Sequence, residues 1–261
     1  MFSHSFVVCA YGESPYLKEC IESILNQTRL SRIIISTSTD NAYIMGLAKD
    51  YSLPVFVNKE SRGIAADWNY ALAHANTRYV TIAHQDDVYE KNYVEELQYS
   101  LSQSKDTLIY FTNYGEIRKG LAQDSNILLN VKRVMLAPIR FGRFGKVKWI
   151  RRRILSVGSP ICCPSVTYNL DLIKQPIFEQ DMKCDLDWQA WEKLSKEEGC
   201  FFYNPKILMR HRIHEESETS HLIKNNIRGS EDLEMLKKFW PGCLAESIYK
   251  LYALSQKSNR D

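Results

Sequence analysis

Three short stretches carry residues whose types and spacing suit chemistry. The first is Gln85-Asp86-Asp87, two adjacent carboxylates directly after an apolar run. Like charges side by side repel, and a turn tip bearing two acids is best tolerated where a cation sits. Hard divalent ions such as Mg²⁺ or Mn²⁺ take carboxylate oxygen and keep substrate phosphates as further ligands. An Asx turn or a helix N-cap accounts for the same dipeptide without any ion. The second stretch is Arg210-His211-Arg212-Ile213-His214, followed by Glu215-Glu216-Ser217. Alternation along a strand places Arg210, Arg212 and His214 on one face. That face suits a diphosphate, with His214 also able to bind a divalent metal. A solvated basic strand paired with the acids after it is the plain structural alternative. The third is Asp185-Leu186-Asp187-Trp188. Asp187 stands where an amphipathic helix begins, a good N-cap position. It is equally placed to act as a general base toward a substrate hydroxyl, although the positive helix end is expected to lower its pKa.

The elements that must position these groups follow from the apolar patterning. Ser5–Ala10, Arg32–Ser36, Pro54–Val57, Arg78–Ala83 and Thr107–Thr112 are short β-branched or apolar runs, predicted as strands. Between them lie helical patterns. One follows Ser14-Pro15, with Leu17, Cys20, Ile21, Ile24 and Leu25 in a stripe. A second covers Asn41–Tyr51, and a third opens at Gly63 with Ile64, Ala65, Trp68, Ala71, Leu72 and Ala75 on one face. A fourth carries Val94, Leu97 and Leu101. Strands alternating with helices predict βαβ units and a parallel sheet, whose ligands bind at the carboxyl ends of strands. Tyr11–Glu13, Ser36–Asp40, Asn58–Arg62 and His84–Asp87 lie there. The second half is less regular. Ile127–Leu136, Val147–Leu155 and Asp187–Lys196 are predicted helical, and Ser165–Asn169, Phe201–Tyr203 and Ile207–Ile213 are predicted strands. Helices over about Thr219–Phe239 and Leu244–Ser255, parted by Pro241-Gly242, close the chain.

Composition excludes several classes. The 261 residues are 44% hydrophobic and 25% charged, which is ordinary for a globular chain and rules out extensive disorder. A net charge of +3 gives no global field for nucleic acid. The seven cysteines include no CxxC pair and read as reduced thiols of a cytoplasmic protein. There is no GxxxxGK[ST], no GxGxxG after the first strand and no HExxH. One stretch breaks the charge balance. Arg140–Arg153 holds seven basic residues and no acid, interleaved with Phe141, Phe144 and Trp149. The mixture suits an anionic membrane surface, a phosphate-bearing substrate or a nucleic acid, or simply a solvated helix and loop.

Together these pieces resemble family 2 of the glycosyltransferases. Val7–Thr28 is similar to that family's first strand, nucleotide loop and first helix, and Gly63–Ala75 to its glycine-led helix. Tyr79–Tyr89 resembles its DxD-type metal turn, Asp185–Trp191 its acceptor-side acidic motif and Arg212–Thr219 its late Arg/His motif. The resemblance covers about residues 5–220 in the family's order. It implies a GT-A (Rossmann-like) α/β fold, a mostly parallel central sheet with flanking helices and a C-terminal helical tail. The implied activity is that of an inverting, metal-dependent hexosyltransferase-like enzyme. It uses a nucleotide-sugar donor, with a UDP-sugar expected, and Mn²⁺ or Mg²⁺. The acceptor is a hydroxyl of a glycan or of a lipid diphosphate, in surface polysaccharide biosynthesis.

By that resemblance Ala10, Tyr11, Glu13 and Asp67 line the nucleotide site, Asp86 and Arg212 meet the donor diphosphate, and Asp86, Asp87 and His214 hold the metal. Asp187 becomes the general base. The family's acids after the second strand are absent; Ser36, Ser38 or Asp40 stand in their place. His84 replaces the first acid of the metal turn, which implies weaker metal dependence. The expected layout is a transferase unit over 1–218, with a donor half to about residue 112, an acceptor half after it and a helical extension over 219–261. Residues 140–153 are expected to touch the inner face of the membrane, and no nucleic-acid partner is expected. A sugar nucleotidyltransferase is the rival enzyme, but Tyr11–Tyr16 lacks the glycine- and base-rich loop that holds a triphosphate. A binding module that has lost turnover is the non-enzymatic rival.

Overall fold

The computed structural model describes residues 2–60, 63–214 and 227–257. The first half alternates as its patterning predicts: β1 (His4–Ala10), α1 (Leu17–Leu25), β2 (Arg32–Thr37), α2 (Ala42–Asp50), β3 (Val55–Val57), α3 (Ile64–His74) and β4 (Tyr79–His84). Runs such as Ile33-Ile34-Ile35 favour strand because branching at Cβ restricts χ1 and packs well on a pleated surface. α1 buries Leu17, Cys20, Ile21 and Ile24, one stripe at helical spacing. Gly63 enters α3 at φ +103°, a conformation that a Cβ disfavours. Strands β3-β2-β1-β4 lie side by side and parallel, so their carboxyl ends form one edge.

The second half adds β5 (Val88–Tyr89), α4 (Tyr93–Gln103), β6 (Thr107–Arg118), β7 (Leu121–Gln123), α5 (Ile127–Leu136), α6 (Lys148–Ile154), β8 (Val166–Asn169), α7 (Leu186–Leu194), β9 (Cys200–Ile213), α8 (Ile227–Lys237) and α9 (Gly242–Lys257). Antiparallel pairing enters here. β8 lies antiparallel between β4 and β6, while β6 and β9 are parallel. β5 and β7 join antiparallel to β9 and β6. The sheet thus runs β3-β2-β1-β4-β8-β6-β9-β5, a curled α/β sheet flanked by helices.

Two predicted strands, Phe201–Tyr203 and Ile207–Ile213, prove to be one strand, β9, running through Pro205. The partner strand β6 runs on to Arg118, well past Thr112. Register shifts at Thr112/Asn113 and Asn113/Tyr114 absorb the proline, and such irregularities bend and twist a strand pair. The polar residues Asn113 and Glu116 disguised the extension. Glu116 is buried there because Arg118 and Asn126 both donate to its carboxylate.

Alternate residues of each strand enter opposite apolar layers. Val7, Ile34 and Ile82 join one core with Trp188 and Trp191 of α7, while Phe6, Val8 and Ile35 join the other with α1 and α4. Met235 and Leu236 of α8 and Ala245 of α9 complete the first of these layers. No helix among the described residues is long and apolar enough to cross a membrane.

Candidate active site

The acidic turn after β4 is built by short local bonds and closed from a distance. The Asp87 N–H donates to the His84 carbonyl at 3.2 Å, tightening the turn. Gln85 clamps the end of β1: its Oε1 accepts from the Tyr11 N–H at 2.9 Å and its Nε2 donates to the Tyr11 carbonyl at 3.1 Å. β5 then pairs with β9, Val88 opposite Arg210, and this lays β9 across the turn.

The two carboxylates of the turn have different surroundings. Asp86 Oδ2 lies 3.0 Å from His214 Nε2, and both side chains are partly exposed. Asp87 is fully buried; its Oδ1 accepts from the Arg212 N–H and meets His211 Nδ1, each at 2.9 Å. Burial works to raise the Asp87 pKa, but the charge and hydrogen bond of His211 outweigh it, and the net shift is downward. Burial likewise works against a charged His211, and Asp87 reverses it, raising His211. Asp87 and His211 therefore brace one another inside the protein.

Arg212 ties the turn together. Its Nε donates to the Asp86 carbonyl at 2.9 Å, its guanidinium meets Glu19 at 2.6 Å, and it lies over the Tyr16 ring at 4.4 Å. Arg210 does not join this group: it is held by Glu90 and Asp124. His211 was missed in the sequence because strand alternation assigned it to the other face. A cleft of about 620 Å³ opens beside His214, lined by Tyr16, Arg118, Lys119, Leu121 and Arg212 among others.

Whether a divalent ion suits these residues is decided by the donor set. Among the described residues, no group of three or more His, Cys, Asp or Glu side chains converges as a metal site. Asp86 and His214 do fit as two protein ligands, a carboxylate oxygen and an imidazole nitrogen, with phosphate and water left to fill the other positions. Asp87, expected beside them, turns its Oδ1 to His211 instead. His84 is stacked on Trp68 with centroids 5.1 Å apart, and burial lowers its pKa.

The expected nucleotide residues gather at the ends of β1 and β2. Ala10 is buried at the end of β1, and Tyr11 and Glu13 are exposed just beyond it. Asp67 is the centre of a polar group: it accepts from Ser38 Oγ at 2.9 Å and from Asn58 Nδ2 at 2.8 Å. Ser36 is buried within β2, and Asp40 is exposed beyond it. The Gly12 N–H donates to Thr39 Oγ1 at 2.8 Å, which joins the loop after β1 to the loop after β2.

Asp187 lies in the first turn of α7, with Asp185 at the N-cap. Its Oδ1 accepts from the Trp188 N–H at 2.6 Å. The helix end does not set its pKa as the sequence implied. Desolvation raises it, outweighing the Trp188 N–H and the positive charges of Lys132 and Arg228. Lys132 is a second residue that sequence reasoning missed, since it looked like one more surface cation of α5. Its Nζ donates to Tyr114 Oη at 3.0 Å. Its positive charge works to lower the pKa of both Asp187 and His211.

The basic stretch is largely structural. Lys146 pairs with Asp106, Lys148 with Glu198 and Arg152 with Glu192. Arg151 is fully buried and donates to the carbonyls of Gly199 and Glu197 at 2.9 and 2.6 Å. Phe141 and Trp149 are each 66% exposed, and Arg140, Arg143 and Arg153 are exposed with them.

Residues 5–157 match the family model described as Glycosyl transferase family 2. An uncharacterized glycosyltransferase of Rickettsia felis is 23% identical over 233 residues, covering 85% of this chain and 36% of that protein. Glycosyltransferase GlyG of Streptococcus pneumoniae is 34% identical over 119 residues, 42% of this chain and 38% of that protein. The chain thus spans about a third of the length of these curated relatives. The structure of S. aureus TarS 1–349 in complex with UDP-GlcNAc superposes with a TM-score of 0.62 at 15% identity, over 95% of this chain and 70% of that one. Mannosyltransferase PcManGT of Pyrobaculum calidifontis, in complex with GDP-Man and Mn²⁺, gives 0.65 at 13% identity over 94% and 69%. At such identities the likeness establishes the fold.

Proposed function

The chain belongs to glycosyltransferase family 2, and from that premise we propose that it is an inverting enzyme moving a sugar from a nucleotide-sugar donor to a hydroxyl of a glycan or lipid-linked acceptor. The observation that carries this is the partly exposed Asp86–His214 pair, a carboxylate oxygen and an imidazole nitrogen 3.0 Å apart at the turn after β4; the raised pKa of Asp187 supports its assignment as the base. Two neighbours by fold are in complex with UDP-GlcNAc and GDP-Man, which supports a nucleotide sugar, and we take a UDP-sugar as the donor.

In this mechanism Ala10, Tyr11, Glu13, Ser38 and Asp67 hold the nucleoside end of the donor. Arg212, fixed by Glu19 and the Asp86 carbonyl, faces the diphosphate. Asp86 and His214 would hold Mn²⁺ or Mg²⁺, which when bound neutralises charge on the departing diphosphate. Asp187 accepts the proton of the acceptor hydroxyl. The hydroxyl oxygen bonds to the anomeric carbon from the face opposite the diphosphate, the bond to the phosphate oxygen breaks, and configuration inverts. The nucleoside diphosphate leaves with the electron pair of that bond. Raised basicity suits Asp187 to this task, because a carboxylate of ordinary pKa takes a hydroxyl proton less readily.

The donor half, to about residue 112, and the acceptor half after it, to about 218, form the transferase unit in this proposal, with α8 and α9 as its extension; residues 219–226 and 258–261 of the expected extension lie outside the described residues. We place the enzyme at the cytoplasmic face of a membrane, in surface polysaccharide biosynthesis. Exposed Phe141 and Trp149 beside Arg140 and Arg143 support that placement.

The test is hydrolysis and transfer assayed over a set of UDP-, GDP- and dTDP-sugars with Mn²⁺. Release of nucleoside diphosphate from one of them, with an inverted product, is expected. Nucleotide-sugar binding with no turnover on any acceptor would mark a binding module instead.

A further inference from the structure

Asp187 is carried by a helix whose start is not secured by its own cap. The N-cap residue, Asp185, makes no capping bond with its side chain. Its carboxyl is buried, and burial together with the nearby charge of Asp232 holds its pKa well above the usual carboxylate range. The segment is secured from α8. Glu231 Oε1 accepts from the Lys183 N–H at 2.9 Å, and its Oε2 accepts from the N–H groups of Cys184 and Asp185 at 2.7 and 3.1 Å. Three successive main-chain donors thus converge on one carboxylate that is itself buried, an anion-binding nest filled by a side chain. On the far side of Asp187 the chain is fixed independently. Trp188 Nε1 donates to the Leu155 carbonyl at 2.9 Å, inside the core. Asp187 stands between these two anchors.

We propose that Glu231 is a positioning residue for the general base: by filling the nest at Lys183–Asp185 it fixes the first turn of α7 and so the direction from which Asp187 meets the acceptor hydroxyl. This rests on the assignment of Asp187 as base. Glu231 lies 44 positions beyond Asp187 and belongs to none of the motifs that carry the family resemblance. It gives α8 a part in catalysis without contact to either substrate.

The test uses the full chain with Glu231→Gln, Glu231→Asp and Asp187→Asn. Main-chain hydrogen exchange at Lys183–Asp185, UDP affinity with Mn²⁺, and kcat for UDP-GlcNAc hydrolysis are measured on each. Glu231→Gln is expected to speed exchange at those amides and to lower kcat on the order of tenfold to a hundredfold. UDP affinity should stay within about twofold, the split that a general loss of folding would not give. Should the Gln variant fold poorly, Glu231→Asp retains the charge one methylene short and is expected to show the same split to a smaller degree. Unchanged exchange at Lys183–Asp185 overturns the proposal. So does a Glu231→Gln kcat within about twofold of wild type while Asp187→Asn is inactive. Wild-type turnover by Asp187→Asn overturns the base assignment itself, and the role of Glu231 with it.

Discussion

Asp86 Oδ2 and His214 Nε2 stand 3.0 Å apart although 128 positions separate them in the chain. The two residues of β5 close that distance, because Val88 pairs with Arg210 and the rest of β9 then passes over the turn. The neighbouring carboxylate, Asp87, is consumed in holding this arrangement through His211 and the Arg212 N–H. One acid of the dipeptide thus braces the turn, and the other meets His214, which lines the cleft.

From this division follows the first prediction. Asp86→Ala and His214→Ala should each weaken UDP binding by about tenfold or more when Mn²⁺ is present, a loss of about 1.4 kcal/mol. In the absence of divalent ions the variants and the wild type should bind alike. Isothermal titration with and without Mn²⁺ checks this; equal affinities in the presence of Mn²⁺ would remove the pair from the metal site.

Asp187→Asn should lower kcat by roughly a hundredfold to ten-thousandfold, the usual worth of a general base, with UDP affinity retained. The pH dependence has a defined sign. Only the ionised carboxylate accepts a proton, so kcat should rise with pH through a value above the ordinary carboxylate range, because desolvation raises this group. Stability moves the other way. A carboxyl whose folded pKa exceeds its unfolded pKa contributes fully below the unfolded value, and the contribution is lost as pH rises through the folded one. A kcat profile rising at an unshifted carboxylate value would contradict the desolvated environment of Asp187.

The parts of this site that were legible in the sequence are those set by local pattern. The β1–β4 strands and their helices follow from apolar periodicity, and the Asp86-Asp87 turn follows from its place after a buried run. What escaped was set by pairing over long range. The two-residue β5 is too short for any periodic signal, yet it decides which acid meets which histidine. Lys132 resembles any surface lysine until α5 is packed beside Tyr114. Arg140–Arg153 read as one basic surface because its acidic partners, Asp106, Glu192 and Glu198, lie far off in the chain.

Asp67 offers a test of the nucleoside end. Its two carboxylate oxygens hold Ser38 and Asn58, on the loops after β2 and β3. Asp67→Ala removes the carboxylate that joins the two loops. UDP and uridine binding should both weaken, by about 1.5–3 kcal/mol for hydrogen bonds to a charged group. Asp86→Ala, by contrast, should leave uridine binding untouched. Equal effects of both substitutions on uridine would mean that the nucleoside lies elsewhere.

The basic stretch separates into two experiments with opposite readouts. Arg151 is buried and carries the carbonyls of Glu197 and Gly199. Arg151→Ala leaves those two acceptors without their donor and empties the space of a guanidinium. It should cost about 3 kcal/mol, since a buried unsatisfied acceptor costs roughly 1–3 kcal/mol, read as a lower midpoint in urea. Any loss of membrane binding in that variant would therefore report unfolding. Arg140 and Arg143 are exposed and flank exposed Phe141. Arg140→Glu with Arg143→Glu should leave the urea midpoint nearly unchanged, as surface substitutions do. The same pair should reduce sedimentation with vesicles of phosphatidylglycerol and phosphatidylcholine, at about 1 kcal/mol for each cation near an anionic surface. High salt should mimic the double variant through screening. If wild-type protein ignores anionic vesicles at low salt, the exposed cations serve an acceptor phosphate instead, and the double variant should then raise the acceptor KM with donor binding intact.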